Sequence, residues 1–180
     1  MNNRFGSYLL FSATAFYFFL LILLLSILNS SLSRFGLYLF LPCLFLATPS
    51  GLSKNLSRSL VIFNGLLLDY HNNLPLGFSI FLLLSIYLAI EGKFKFQNLS
   101  RAIEGRIILI LINTMFFIGV YIVSHIESAS LNQPNFSKFI TDSLSSTMIV
   151  FWGSIPHYGL INQLASKIIS SQKEKSVLTK

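Results

Sequence analysis

The chain alternates between long apolar runs and short polar breaks, a pattern that predicts about six helices crossing a membrane. The first run has 21 residues, enough to span roughly 30 Å at about 1.5 Å per residue. We interpret it as a retained helix, because it is longer than a usual signal-peptide core and no clear cleavage pair follows it. The predicted helices are Tyr8–Leu28, Phe35–Thr48, Leu56–Asp69, Leu76–Ile90, Arg106–Ser124 and a sixth from near Phe139 past Trp152 towards Leu160.

Two of these segments are irregular. The run Phe35–Thr48 has only 14 residues and contains Pro42, so we expect a short, bent helix supported by its neighbours. Pro156 predicts a kink or an end in the sixth helix. Apolar residues at helical spacing then indicate either an amphipathic extension on the membrane surface or a long sixth helix that protrudes. We expect one transmembrane domain over residues 1–169 and a flexible cytoplasmic tail over 170–180.

The amino-acid composition agrees with a membrane protein, and the distribution of basic residues predicts its orientation. The chain is 53% hydrophobic and 11% charged, whereas a soluble domain has about 25% charged residues. If six crossings are correct, 11 of the 13 Lys and Arg residues lie on the side of the N terminus, among them the cluster Lys93, Lys95 and Arg101. Arg34 and Lys138 lie on the other side. Basic residues concentrate on the cytoplasmic side of membrane proteins, so both termini are expected in the cytoplasm, and no basic surface is left for nucleic acid.

The sequence offers no convincing catalytic or metal-binding set. A single cysteine, Cys43, allows neither an internal disulfide nor a thiolate metal site. His71, His125 and His157 stand far apart, and no phosphate loop, zinc-protease helix or nucleophile elbow is present. We therefore predict a protein that is not an enzyme, with no catalytic residue, no metal and no cofactor.

The turn between the third and fourth predicted helices is the most informative stretch. Gly65 would let another helix approach closely, and Gly77 would do the same. The Asp69 carboxylate can accept hydrogen bonds from loop amides two or three residues on, and Pro75 favours the start of the next helix. These residues predict either a tight structural hairpin or an outer surface that presents Asp69 to a partner protein. The two interpretations are compatible.

This stretch resembles the MreD family of rod shape-determining membrane proteins. The segment Gly65–Asp69 reads Gly-Leu-Leu-Leu-Asp, and after the spacer 70–73 the segment Leu74–Gly77 reads Leu-Pro-Leu-Gly. The family pattern is Gly-Leu-Leu-x-Asp, a few small or polar residues, then Pro-Leu-Gly, and an apolar helix ending in tyrosine follows, here Tyr87. The resemblance implies a non-enzymatic inner-membrane subunit that associates with an MreC-like protein in the cell-elongation complex and helps organise lateral peptidoglycan synthesis. It also implies a fold similar to the substrate-binding S-components of energy-coupling-factor transporters.

Two alternatives to a scaffold remain open. One is a substrate-binding membrane subunit of a vitamin-type transporter, which would need an aqueous pocket lined by polar side chains. Candidates for such a lining are Asn64, Asn113, Thr114, Ser143, Ser146 and His157. Serine and threonine in membrane helices usually bond their own backbone or a neighbouring helix, which favours the scaffold. The other is a membrane protein whose match to the MreD pattern is fortuitous.

Overall fold

A computed structural model describes residues 2–91, 103–127 and 136–178 of the chain. Within these residues the fold is all-helical and contains no strand, as the sequence predicts. The basic cluster Lys93, Lys95 and Arg101 lies outside the described residues, as do residues 128–135 between the fifth and sixth predicted helices. The α-helices are α1 (Asn2–Leu32), α2 (Lys54–Asn72), α3 (Phe78–Glu91), α4 (Ile103–Glu127) and α5 (Phe136–Leu178), and two short 3-10 helices span Ser33–Phe35 and Pro42–Leu46.

Two helices of the described chain are long and apolar enough to cross a membrane. The first is Gly6–Phe35 with 30 residues, and the second is Gly105–Val123 with 19. Helix α3 is a shorter apolar helix. Helix α2 carries more polar residues. It is capped by the preceding Ser53, whose hydroxyl accepts a hydrogen bond from the amide of Leu56, as serine often does before a first turn.

The predicted helix Phe35–Thr48 is wrong. Residues 37–41 and 47–49 are not helical, and between them lies the 3-10 helix Pro42–Leu46. Pro42 and Pro49 lack amide donors and disfavour a helical conformation in the residue before them. Length also matters, because a 14-residue helix reaches only about 21 Å, whereas an extended chain covers about 3.3 Å per residue. We call residues 37–49 the threaded segment.

The threaded segment runs through the middle of the helices. Residues 39–47 are buried, and the 3-10 helix within them contacts α2, α3, α4 and α5. Around it, α2 packs on α3 and α1, α1 packs on α5, and α5 packs on α4. The Phe78 ring lies against Gly119 and so brings α3 next to α4. The described helices therefore form a ring with the threaded segment at its centre.

Contacts at the two ends of the ring define the helix directions. At one end Gly51 packs against Leu10 and Ile169. At the other end, which we call the hairpin end, the amide of Tyr38 donates to Asp142 and its hydroxyl donates to Asn72. Helices α1, α2 and α4 therefore point towards the hairpin end, and α3 and α5 point away from it.

Helix α5 continues through Pro156 without ending. It has 43 residues, a length of about 65 Å at 1.5 Å per residue, which exceeds the thickness of a bilayer. Ile161 and Ala165 are buried beyond the proline, so this part of α5 packs on the ring. Residues 170–178 of the predicted tail belong to this helix, and the flexibility of the tail stays a prediction. Residues 179 and 180 lie outside the described residues.

Candidate functional site

The backbone of the threaded segment is held by side chains of three surrounding helices. Asn29 makes a pair of bonds to one residue, donating from Nδ2 to the Leu39 carbonyl at 2.9 Å and accepting from the Leu39 amide at 2.7 Å. Asn64 donates to the Phe45 carbonyl at 2.7 Å. An extended chain has no internal backbone ladder, so buried amides and carbonyls need such partners. The two asparagines supply them.

Helix α5 supplies three further partners along its length. Asp142 accepts from the Tyr38 amide at 2.9 Å and Ser146 accepts from the Phe40 amide at 3.1 Å. His157 Nε2 lies 2.9 Å from the Leu44 carbonyl oxygen. The segment therefore runs alongside α5 in the same direction, bonded at each level by a different polar residue.

None of the residues proposed for a transporter pocket lines the pocket that opens at the hairpin end. Asn64, Ser146 and His157 bond the threaded segment instead. Thr114 donates to the carbonyl of Ile110 in its own helix, as membrane threonines often do. The amide of Asn113 is buried without a partner among the described residues. An asparagine or histidine inside an apolar run indicates a buried polar contact. The sequence does not show which backbone group that side chain bonds.

The hairpin that joins α2 to α3 is organised by Asp69. Its Oδ2 accepts from the Gly77 amide and its Oδ1 from the Ser79 amide, both at 2.7 Å. The bonds thus reach eight and ten residues along the chain, and not two or three as the turn pattern predicted. An aspartate that accepts from the first amides of a helix satisfies donors which have no partner within that helix. Asp69, in the last turn of α2, therefore caps the start of α3.

The other three residues of the hairpin have separate structural roles. A Cβ on Gly65 would lie 2.7 Å from the Cα of Ile80, so the helices meet there as closely as the sequence predicted. Gly77 has a φ of +97° and no heavy atom within 4 Å of an added Cβ, so it is needed for its backbone conformation and not for packing. The carbonyl of Pro75 accepts from the amide of Phe78 at the first residue of α3.

The exposed tip of the hairpin lies beside Asp69 and not at it. The aspartate is only 1% exposed, so its carboxylate faces into the protein. Tyr70 is 87% exposed and Leu76 is 84% exposed. Any surface that the hairpin offers in this structure is therefore formed by an aromatic and an aliphatic side chain.

A pocket opens at the hairpin end beside this turn. Its volume is about 540 Å³, within the range of small-molecule sites. Aromatic rings form much of the wall, and the Tyr121 and Phe139 ring centroids lie 4.7 Å apart. The lining residues are Tyr38, Phe40, His71, Asn72, Asn73, Phe117, Val120, Tyr121, Lys138, Phe139 and Asp142.

Besides two tyrosines, three ionisable side chains line the pocket, namely Lys138, Asp142 and His71. Lys138 and Asp142 stand one turn apart on α5, and the lysine forms no ion pair with any described residue. Burial lowers the pKa of the His71 imidazole, because the charged form loses its hydration. The Nε2 atom of His71 is buried and has no hydrogen-bond partner among the described residues. Sequence reasoning missed this pocket, since its walls come from four separate parts of the chain.

No three histidine, cysteine, aspartate or glutamate side chains lie close enough to share a metal ion in the part of the chain that the structure describes. No protein-family model, no curated protein and no solved structure matches the chain. The hairpin and the pocket are therefore interpreted from their own geometry.

Proposed function

We propose that the chain is a multi-pass membrane protein that crosses the bilayer six times, five times as a helix and once as the threaded segment. Non-helical backbone is tolerated at membrane depth only where protein surrounds it, and residues 39–47 are buried in this way. The outward faces of α1, α3, α4 and α5 are apolar, as contact with lipid requires. Their exposed side chains include Phe16, Leu20, Leu24, Phe81, Leu111, Met115, Met148 and Trp152.

The orientation follows from the basic residues at the two ends. Arg34 and Lys138 lie at the hairpin end. The opposite end carries Lys54, Arg58 and Lys167, and Arg58 forms a 3.0 Å ion pair with Glu91. Positive residues favour the cytoplasmic side, so this end and both termini face the cytoplasm. Fusing a reporter that is active only in the cytoplasm to each terminus tests the layout, and activity lost at either terminus would contradict it.

Within that membrane, the chain acts as a non-enzymatic subunit of the bacterial cell-elongation complex, of the MreD type. The observation that carries this proposal is the hairpin, in which Gly65, Asp69 and Gly77 each has a distinct structural role. When the fold requires each residue of a motif at its position, the motif supports a structural unit shared with the MreD family more strongly than sequence similarity alone does. An MreC-like membrane protein is the proposed partner.

The exposed tip gives a direct test of the partner. Tyr70→Ala combined with Leu76→Ala removes the two most exposed apolar side chains of the hairpin and leaves Asp69 and Gly77 in place. We expect this variant to insert normally, to lose co-purification with the MreC-like protein of the same bacterium, and to fail to restore rod shape after depletion of the native chain. Phe81→Ala, an exposed residue further along α3, is the matched control. If cells depleted of the native chain keep a normal rod shape without any complementing copy, the proposal is overturned.

The pocket favours a second candidate, a substrate-binding membrane subunit of a transporter. The supporting observation is a cavity of about 540 Å³ with polar and aromatic walls, placed at one end of the ring. Uptake assays with and without the chain distinguish the two functions, because a scaffold leaves uptake unchanged.

A further inference from the structure

The pocket at the hairpin end brings two opposite charges to one helical face. Lys138 and Asp142 are four residues apart on α5, so their Cβ atoms lie about 5–6 Å from each other. The Asp142 carboxylate is buried and fixed, because its Oδ1 accepts from the Tyr38 amide. No described residue donates a hydrogen bond to its Oδ2. The Lys138 side chain is exposed, attracts the Asp142 carboxylate electrostatically and forms no close ion pair with any described residue.

The aromatic wall adds a third element. Phe139, which lies between these two residues in the sequence, has its ring centroid 4.7 Å from that of Tyr121 and 6.3 Å from that of Phe117. These rings offer a flat apolar surface beside the two charges. Polar groups that fix orientation within a mainly apolar pocket are typical of sites for small ligands.

We propose that this pocket binds a small zwitterion, with its ammonium group on Asp142, its anionic group on Lys138 and its apolar part against the aromatic wall. Lys138 and Asp142 attract each other across one turn of α5. A zwitterion would replace that attraction with a partner for each charge, whereas a ligand with a single charge would occupy one side chain and leave the other without its partner. A free amino acid and the headgroup of phosphatidylethanolamine share this chemistry. Binding of such a ligand is compatible with a scaffold and equally with a transporter subunit.

Three related probes separate the contributions of the two charges. L-Phenylalanine carries both groups, 2-phenylethylamine lacks the carboxylate, and 3-phenylpropionate lacks the ammonium. Binding to the full chain in detergent is measured by calorimetry, together with glycerophosphoethanolamine as the free headgroup. We expect a zwitterion to bind about tenfold or more tightly than either singly charged analogue, which corresponds to about 1.4 kcal/mol.

Substitutions then assign each charge. Lys138→Gln should weaken phenylalanine about tenfold and leave 2-phenylethylamine unchanged, whereas Asp142→Asn should weaken phenylalanine and leave 3-phenylpropionate unchanged. Lys167→Gln, an exposed lysine of the same helix at the opposite end, is the control and should change neither. Thermal unfolding of each variant verifies that the fold is retained.

Nanodiscs distinguish the two sources of the ligand. If phosphatidylethanolamine displaces labelled glycerophosphoethanolamine while phosphatidylglycerol does not, the zwitterion is a lipid headgroup. If neither lipid displaces the label, it is a free molecule. Failure of both phenylalanine and glycerophosphoethanolamine to bind would overturn the proposal. So would equal affinity for all three phenyl probes, or an effect of Lys138→Gln no larger than that of Lys167→Gln.

Discussion

The Nε2 atom of His157 lies 2.9 Å from the carbonyl oxygen of Leu44. A carbonyl oxygen can only accept, so Nε2 carries the proton and donates it. The other nitrogen of the neutral ring, Nδ1, then accepts from the hydroxyl of Tyr17 at 2.8 Å. One imidazole thus links α1 and α5 to the threaded segment between them, and both of its nitrogens are engaged.

Replacing that histidine should destabilise the protein strongly. His157→Leu leaves the half-buried Tyr17 hydroxyl without its partner and removes one of two bonds to the Leu44 carbonyl, which still accepts from the Ala47 amide. A buried polar group left without a partner costs roughly 1–3 kcal/mol. We expect a lower free energy of unfolding, measured by denaturant titration in detergent. Ser166→Ala is the control, because that exposed hydroxyl only bonds the Gln163 carbonyl in its own helix. Similar unfolding free energies for the two variants would contradict the bridging role.

The all-helical character and the paired helices α2 and α3 could be predicted from the sequence. The predicted Leu56–Asp69 corresponds to α2 at Lys54–Asn72, and the predicted Leu76–Ile90 corresponds to α3 at Phe78–Glu91. Both have apolar runs of helical length with a turn of Asn, Pro and Gly between them, and such local signals place helix ends well.

The threaded segment could not be predicted in the same way. A fully buried apolar run has no polar face, so its periodicity does not distinguish a helix from an extended chain. What decides between them is whether distant side chains satisfy the backbone, and here Asn29, Asn64 and His157 do so. The pocket could not be predicted from the sequence either, because Tyr38 and Asp142 are 104 positions apart and meet only in the folded chain.

The cap that Asp69 provides for α3 gives a second prediction. Asp69→Ala leaves the amides of Gly77 and Ser79 without acceptors, at roughly 1–3 kcal/mol for each buried donor. Asp69→Asn keeps an acceptor and should lose less. Unfolding free energies of the two variants should therefore rank wild type above Asn and Asn above Ala. An alanine variant as stable as the wild type would show that the hairpin does not depend on this carboxylate.

The pH dependence of stability follows from His71. Burial lowers the pKa of its imidazole below the value of about 6.5 in the unfolded chain, so the unfolded chain binds more protons in the interval between the two values. The stabilising effect of the neutral ring is therefore complete above about pH 6.5 and is lost as the pH falls through the folded pKa. We expect the melting temperature to fall less between pH 7.5 and pH 5 in His71→Gln than in the wild type. Parallel decreases would contradict this assignment.

The close approach of α2 and α3 at Gly65 allows the stability effect of a glycine-to-alanine substitution to be compared with that of a matched control. An added Cβ would lie 2.7 Å from the Cα of Ile80 and 2.8 Å from its amide nitrogen, and backbone atoms cannot turn aside as a flexible side chain can. Gly65→Ala should therefore push the two helices apart and cost roughly 1–3 kcal/mol, the usual range for overpacking.

Gly159→Ala is the matched control, since that helical glycine has no atom within 4 Å of an added Cβ. It should be neutral or stabilise the protein by up to about 1 kcal/mol, because alanine favours a helix over glycine. Denaturant titration of both variants in the same detergent gives the comparison. The changes in the free energy of unfolding are expected to have opposite signs in the two variants. A loss of stability shared by both would mean that the added methyl group acts through helix propensity or the unfolded chain and not through the contact with Ile80.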